Sequence, residues 1–324
     1  MKRYYKNSNY FIIKQLVALV FVVIISLNLS CKFSGDKADI GKRDDLIKNP
    51  DPVKLNVSTK QELGKISELL FGHNIEHTRS SVYQGLSAQM IRNRKFAGNP
   101  YPVTGQAMEW YTIGSENAFF LLDDSNGYTR HYDRESRNIE INCQRIQLYT
   151  NGKICGLGQD KLALEKNKKY EVRIVLKGSG KIPVNIRLLS GSSSKGYCEK
   201  NVRLDSTGTW QKFVFKFKSP STDKNACIEI TYTQKAELAI GSVSMLPSDN
   251  FYGMRSDVIE LLKEIGTPIL RWPGGSFANV YLWKDGLLDV DMRAPIWSGM
   301  NQANTGGYDY SEIGIDEFIL LCRE

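Results

Sequence analysis

The chain has 324 residues, of which 41% are hydrophobic and 24% are charged, and this balance excludes both a disordered protein and a polytopic membrane protein. Its formal net charge is +8, but the first 30 residues contain four basic side chains and no acidic one. The remaining Lys and Arg are scattered, and no aromatic pattern typical of RNA-binding proteins accompanies them, so no nucleic-acid partner is predicted.

The N-terminus predicts export and a lipid anchor. Basic residues precede the apolar run Leu16–Ile25, which is short for a membrane span of about 20 residues and is typical of a secretory signal, with an uncleaved anchor extending toward Tyr10 as the alternative. Cys31, directly after "LNLS", resembles the lipidated cysteine of bacterial lipoproteins. Residues 1–31 are therefore interpreted as a signal peptide that ends at the lipidation site Cys31. The protein is expected to be anchored on the periplasmic or cell-surface side of a bacterial membrane. Residues 32–54, charged and broken by Pro50 and Pro52, predict a tether.

Residues 55–100 begin the folded body. The apolar stretch Leu69–Phe71 predicts a strand, and the polar residues Gly72–His77 predict a functional loop after it. A helix is expected next, with Leu86, Met90 and Ile91 on its buried side.

Residues 101–248 predict an antiparallel β-sandwich. Apolar residues occupy every second position in Tyr170–Leu176, Phe213–Phe217 and Ile228–Tyr232, and clusters of Gly, Ser and Asn separate such runs. Four cysteines lie in this region, and they either form disulfides in an exported protein or remain as buried thiols: Cys143, Cys155, Cys198 and Cys227. Their spacing does not decide between these two interpretations.

Residues 249–324 return to helical spacing. Apolar residues recur at Val258, Leu261, Leu262 and Ile265. Ser256 or Asp257 is the expected N-cap, and Gly266 is the expected end of the helix. The strand Ile269–Trp272 should follow, and a last helix should begin near Asp316 with Phe318, Leu321 and Cys322 on one core-facing side. Two strand-then-helix units around an all-β insertion predict a parallel α/β body.

Two interpretations fit the segment His73–His77. It matches H-x-x-E-H, the spacing of inverted zinc peptidases, but Gly72 and the short lead-in argue against both histidines sharing one helical face. Alternatively, Glu76 ends a barrel strand and accepts hydrogen bonds from sugar hydroxyls, while Arg271 ends the next strand before Gly274-Gly275. A purely structural role, in which Glu76 and Arg271 pair with each other or with neighbouring residues, explains the same pattern.

Four segments in this order resemble the α-L-arabinofuranosidases of glycoside hydrolase family 51: "LFGHNIEH", "AQMIRNRKF", "LRWPGGSFANVYLWKDG" and "GIDEFILLC". The resemblance implies a (β/α)8 barrel, of which 55–100 and 249–324 are the beginning, interrupted by a sandwich similar to carbohydrate-binding modules of the family 4 and 9 type. It also implies that Glu76 and Arg271 hold the arabinofuranose ring. Ser276 stands where relatives often have Asn or Cys, and Trp297 where they place an aromatic residue near the leaving group.

The same resemblance implies a retaining hydrolase whose two catalytic glutamates come from the fourth and seventh strands. This chain is expected to carry two strands of the barrel and therefore to be an N-terminal fragment, inactive as it stands, with no catalytic residue, metal or cofactor. The expected partner is an arabinose-containing plant-type polysaccharide or oligosaccharide. The alternatives are a non-catalytic glycan-binding lipoprotein and a zinc peptidase.

Overall fold

The computed structural model describes residues 55–58, 60, 64–78, 80–132, 139–193, 195–300 and 302–324. The chain divides into two units, 1–65 and 66–324, and the second contains all the strands and helices described below. The predicted signal peptide, Cys31 and the tether 32–54 lie outside the described residues. No helix within the described part of the chain is long and apolar enough to cross a membrane.

Ten antiparallel strands form two five-stranded sheets. They are β2 (Tyr111–Ile113), β3 (Ala118–Asp123), β4 (Cys143–Leu148), β5 (Cys155–Leu164), β6 (Lys169–Gly178), β7 (Pro183–Leu189), β8 (Gly196–Arg203), β9 (Gln211–Lys218), β10 (Asp223–Tyr232) and β11 (Glu237–Pro247). The strand order is β2-β5-β10-β7-β8 in one sheet and β3-β4-β11-β6-β9 in the other. Inward side chains of both sheets, such as Val172, Ile174, Ile228 and Ile230, are fully buried in one core. The predicted antiparallel sandwich is confirmed.

The rest of the unit contains short strands and three helices. Strands β1 (His73–Asn74) and β12 (Leu270–Arg271) pair in parallel, and β13 (Ile296–Trp297) pairs antiparallel with β14 (Tyr308–Asp309). The helices are α1 (Ser256–Ile265), α2 (Gln302–Thr305) and α3 (Ile315–Arg323). A second, smaller core includes side chains of α1 and α3 and is made of Val82, Leu86, Met254, Ile259, Ile313 and Leu321.

Two predicted elements are wrong. Leu69–Phe71 belong to a 3-10 turn, Glu68–Phe71, because the Ser67 hydroxyl accepts the Leu69 amide at 3.3 Å and turns the chain there. The helix expected next is only the π-type turn Val82–Leu86, in which Gln84 has a positive φ of 62°. The Gln89 side chain then accepts the amides of the two following residues, at 3.1 Å each, which replaces helical hydrogen bonding.

Helix α1 ends as predicted, since Gly266 is left-handed at φ 67°, but no side chain caps its start at Arg255. In α3, the carboxylate of Glu317 accepts the Gly314 amide at 2.7 Å, and Asp316 is not the cap. Leu321 is buried there, whereas Cys322 is exposed, because neighbouring positions on a helix face different directions. The four sandwich cysteines are free thiols, fully buried at Cys143 and Cys155.

A buried ion network ties the sandwich to the rest of the unit. Arg94 donates to Asp291 at 3.0 Å and to Glu312 at 2.5 Å, and Arg173 of β6 donates to Asp291 at 2.8 Å. Burial alone would raise the pKa of Asp291, but Arg94, Arg173 and Lys212 outweigh it and hold that pKa far below its usual range. The network fixes the sandwich against the segment that leads from β12 to β14.

Candidate functional site

The carboxyl ends of β1 and β12 lie side by side and place Glu76 beside the Pro-Gly-Gly segment. Backbone bonds of 2.9 Å join the His73 amide to the Ile269 carbonyl and the Ile75 amide to the Arg271 carbonyl. Asn74 and Arg271 are direct register partners. Side chains at paired positions of neighbouring strands point to the same face of the sheet, so Asn74 and Arg271 share one face. Glu76 lies two residues after Asn74, which is the spacing that places side chains on the same side of an extended chain.

The Glu76 carboxylate is held by its neighbours but keeps acceptor capacity. Its Oε1 accepts the Asn74 amide group at 2.7 Å and the Gly275 backbone amide at 2.9 Å. Among the described residues, its Oε2 accepts a hydrogen bond only from the Thr78 hydroxyl, at 3.4 Å. A carboxylate oxygen offers about two acceptor positions, so Oε2 can still accept a hydroxyl of a ligand.

The two glycines are required by this close approach. Gly274 has φ 101°, and a Cβ atom added to it would lie 2.4 Å from Cγ and 2.7 Å from Cα of Glu76. A Cβ on Gly275 would lie 2.8 Å from Oε1 of Glu76. Any side chain at either position would therefore displace the carboxylate or clash with it.

Arg271 and Ser276 are exposed on either side of this turn. A Glu76–Arg271 ion pair is not observed, whereas the Glu76 carboxylate does bond to its neighbours Asn74 and Gly275. Within the described residues, the Arg271 guanidinium makes neither an ion pair nor a hydrogen bond. Its five donors remain available to a ligand at the strand end next to Glu76.

His77 connects three separate parts of the site. The Trp272 indole N–H donates to Nε2 of His77 at 3.0 Å, so Nδ1 carries the proton and donates to Asp309 at 2.7 Å. The imidazole also stacks on Phe277, with ring centroids 4.1 Å apart and planes 11° apart. These contacts fix the turn after β12 and strand β14 around the strand end that bears Glu76.

The same contacts contradict the zinc hypothesis. Both ring nitrogens of His77 are engaged, while His73 is exposed and bonds to Thr267 at 2.9 Å. The described residues contain no group of three or more His, Cys, Asp or Glu arranged to hold a metal ion. The H-x-x-E-H spacing here belongs to a strand and its following loop, not to one helical face.

Trp297 lies on the β13–β14 hairpin and is 45% exposed. It pairs in register with Tyr308, and its indole lies so close to Gly307 that an added Cβ would be 2.9 Å from Nε1. The neighbouring Asp309 is largely desolvated, which would raise its pKa, but His77 and the Ser311 amide outweigh this desolvation and lower the pKa. The hairpin is thus linked to the Glu76 strand through the Asp309–His77 bond.

Sequence reasoning missed Asn74 and Asp309. Asn74 could have been found, because residues two apart on a strand face the same side and Asn74 precedes Glu76 by two. Asp309 lies 232 residues from His77, and no local pattern indicates that they meet.

Comparison with known proteins supports the resemblance, although no protein-family model matches the chain. Alpha-L-arabinofuranosidase 2 of Arabidopsis thaliana is 23% identical over 267 residues, covering 78% of this chain and 39% of that protein. An intracellular exo-alpha-L-arabinofuranosidase of Bacteroides ovatus is 38% identical over 86 residues, covering 26% of this chain and 16% of its own. An arabinose-bound family 51 α-L-arabinofuranosidase structure aligns with TM-score 0.61 and 15% identity, over 78% of this chain and 42% of that one.

The chain is a family 51-like protein. The similarity to the Arabidopsis enzyme extends over 78% of the chain and supports the resemblance predicted from its motifs, and the solved structure shows that the fold is shared. The family 51-like chain spans about two fifths of the length of these relatives.

Proposed function

We propose that this chain belongs to a retaining α-L-arabinofuranosidase-like glycoside hydrolase and supplies the side chains that hold a terminal arabinofuranose. The observation that carries the proposal is that the ends of two adjacent parallel strands bear an incompletely satisfied Glu76 carboxylate and an Arg271 guanidinium that has no partner among the described residues. Charged donors and acceptors set close together match the ring hydroxyls of a sugar, and both are too polar to serve a hydrophobic core.

The proposed roles follow from the geometry. Oε2 of Glu76 accepts a ring hydroxyl, Arg271 donates to sugar oxygens, and the exposed Ser276 hydroxyl lies one residue after Gly275. The exposed indole of Trp297 offers an apolar face to the sugar or its leaving group. None of these four residues is assigned as acid/base or nucleophile, and the chemistry of this family requires no metal or cofactor.

We further propose that β1 and β12 are the first two strands of a (β/α)8 barrel. Near the start of β1, Leu69, Leu70 and Phe71 are 59%, 70% and 64% exposed, and Ile269, just before β12, is 48% exposed. Contiguous exposed apolar residues beside a two-stranded parallel sheet are unfavourable in water, and further strand-helix units of a barrel would cover them.

The test is equilibrium binding of methyl α-L-arabinofuranoside by calorimetry. The wild-type chain should bind it in preference to methyl β-D-xylopyranoside, and Glu76→Gln and Arg271→Met should each raise Kd about 10- to 100-fold, as expected for losing hydrogen bonds to charged groups. Glu260→Gln and Arg255→Met, both exposed on or beside α1, are the matched controls and should leave Kd unchanged. Equal affinity in all five proteins would reject the proposal.

A second candidate function, glycan binding without catalysis, is favoured by the outer face of the β2-β5-β10-β7-β8 sheet. One register row crosses all five strands: Tyr111, Gly158, Glu229, Arg187 and Glu199. The Tyr111 ring lies across Gly158, where an added Cβ would be 2.2 Å from the ring, and Arg187 pairs with Glu229 at 2.6 Å. A flat aromatic ring beside polar groups suits an extended sugar chain.

This candidate is tested with arabinan and arabinoxylan. Affinity electrophoresis of the chain should show retardation that Tyr111→Ala removes and Phe119→Ala, an exposed aromatic of the other sheet, preserves. If Glu76→Gln removes the retardation and Tyr111→Ala does not, the sandwich face is not the binding surface.

Export and lipidation at Cys31 are part of the proposal, on the observation that a basic, apolar and cysteine-ended segment opens the chain. Expressed with its N-terminus in a bacterial host, the protein should partition into the detergent phase of a Triton X-114 extract. Cys31→Ser should move it to the aqueous phase, and no change in partitioning would contradict lipidation.

A further inference from the structure

An open cleft of about 340 Å³ lies outside the Glu76 site, and none of its lining residues belongs to that site. The cleft is lined by Tyr132, Tyr281, Leu282, Trp283, Lys284 and Asp285. Trp283 is 55% exposed and Tyr132 is 61% exposed. Exposed aromatic side chains that line the same cleft are typical of a ligand-binding surface.

The two aromatic residues are held in fixed positions by a buried carboxylate. Asp285 is 1% exposed, and its Oδ1 accepts the backbone amide of Tyr132 at 2.8 Å. Its own amide bonds to the Leu282 carbonyl at 3.0 Å, which closes the turn that bears Trp283. Asp285 thereby ties the segment ending at Tyr132 to the Trp283 turn, so the cleft is formed before any ligand arrives.

Lys284 adds one charge to this aromatic cleft. Its side chain is exposed, and its ammonium lies 5.7 Å from the centroid of the Trp283 ring. Among the described lining residues, Lys284 is the exposed charged group, whereas the Asp285 carboxylate is buried. A ligand that fits has an apolar face to stack on indole and an anionic group within reach of the ammonium.

We propose that this cleft binds a hexuronic acid residue of a glycan. The C–H face of the pyranose ring stacks on Trp283, Tyr132 covers the other side, and the carboxylate accepts hydrogen bonds from Lys284. The site goes beyond the arabinofuranose site, since it recognises a different sugar through different residues. It gives the protein a preference for glycans that carry uronic acids.

The experiment is calorimetric titration of the full chain with methyl β-D-glucuronoside and with its carboxyl-reduced counterpart, methyl β-D-glucoside. The glucuronoside should bind about tenfold more tightly at low salt, as expected for one exposed charge-assisted contact, and the preference should shrink at 0.5 M NaCl. Lys284→Ala should abolish the preference while retaining the weaker binding. Trp283→Ala should weaken both ligands about tenfold or more.

Phe119→Ala, which removes an exposed aromatic ring of β3, is the matched control and should leave both affinities unchanged. Because Trp283 and Lys284 are exposed, both variants should keep the wild-type circular dichroism spectrum. The proposal is overturned by equal affinity for the two sugars, by absence of binding to either, or by a Trp283→Ala variant that binds like the wild type.

Discussion

Replacing His77 by Phe isolates what its two hydrogen bonds contribute. Phenylalanine keeps a ring where the imidazole stacks on Phe277 at 4.1 Å, but it removes the donor to Asp309 and the acceptor of the Trp272 indole. The His77 side chain is 0% exposed and that of Asp309 is 12% exposed, so water cannot freely replace either bond. Leaving a buried hydrogen-bonding group without a partner costs about 1–3 kcal/mol, and this change leaves two such groups, Asp309 and the Trp272 indole. Because Asp309 keeps its bond from the Ser311 amide, we expect the free energy of unfolding to fall by about 2–4 kcal/mol.

Chemical denaturation followed by circular dichroism measures this loss. His73→Phe, in the same short segment, is the control: His73 is exposed, makes one bond to Thr267, and should cost less than about 0.5 kcal/mol. The difference between wild type and His77→Phe should be largest near pH 7. It should shrink below about pH 4, because protonation neutralises the orphaned Asp309 carboxylate. A His77→Phe protein as stable as the His73→Phe protein would refute the connecting role of His77.

Three further changes follow from the same contacts. Gly274→Ala places a Cβ 2.4 Å from Cγ of Glu76 at a positive φ, so we expect a loss of about 1–3 kcal/mol in a urea titration and no measurable arabinofuranoside binding; wild-type affinity would contradict the geometry. Asp291→Asn leaves Arg94 buried with one anionic partner, which should cost about 3–5 kcal/mol at pH 7. Folding lowers the pKa of Asp291, so the stabilisation by this carboxylate is present above its unfolded pKa of about 3.9 and is lost as the pH falls below that value. The melting temperature of Asp291→Asn should therefore fall less steeply with decreasing pH below about 4 than that of the wild type. An equally steep fall in both proteins would refute this. Trp297→Ala should raise the Kd for an aryl arabinofuranoside more than for the methyl glycoside, and equal effects on both would place the indole away from the leaving group.

Local patterns predicted the elements whose sequence signal is itself local. Alternation of apolar residues identified the sandwich strands although their partner strands are distant in sequence, because successive side chains of a strand face opposite sides, and Gly266 marked the end of α1 through its left-handed backbone conformation. Leu69–Phe71 misled the analysis, since an apolar triplet does not distinguish a buried strand from an exposed turn, and the Ser67 hydroxyl decided the outcome.

The sequence also indicated only some residues of the candidate site. Glu76, Arg271 and the two glycines were found from strand-end chemistry and from the family motifs. The function of His77 was not, because its hydrogen-bond partners, Asp309 and Trp272, lie 232 and 195 residues away and only the folded chain brings them together. The sequence therefore indicated the residues proposed to contact a ligand better than the residues that hold them in place.

The central claim is that Glu76 and Arg271 together hold a terminal arabinofuranose, and a crystal structure of the chain soaked with methyl α-L-arabinofuranoside tests it most directly. The account predicts electron density for one sugar ring with hydroxyls within about 3.2 Å of Glu76 Oε2 and of the Arg271 guanidinium. A sugar bound elsewhere, with Arg271 turned away and Oε2 of Glu76 still bonded only to Thr78, would contradict it.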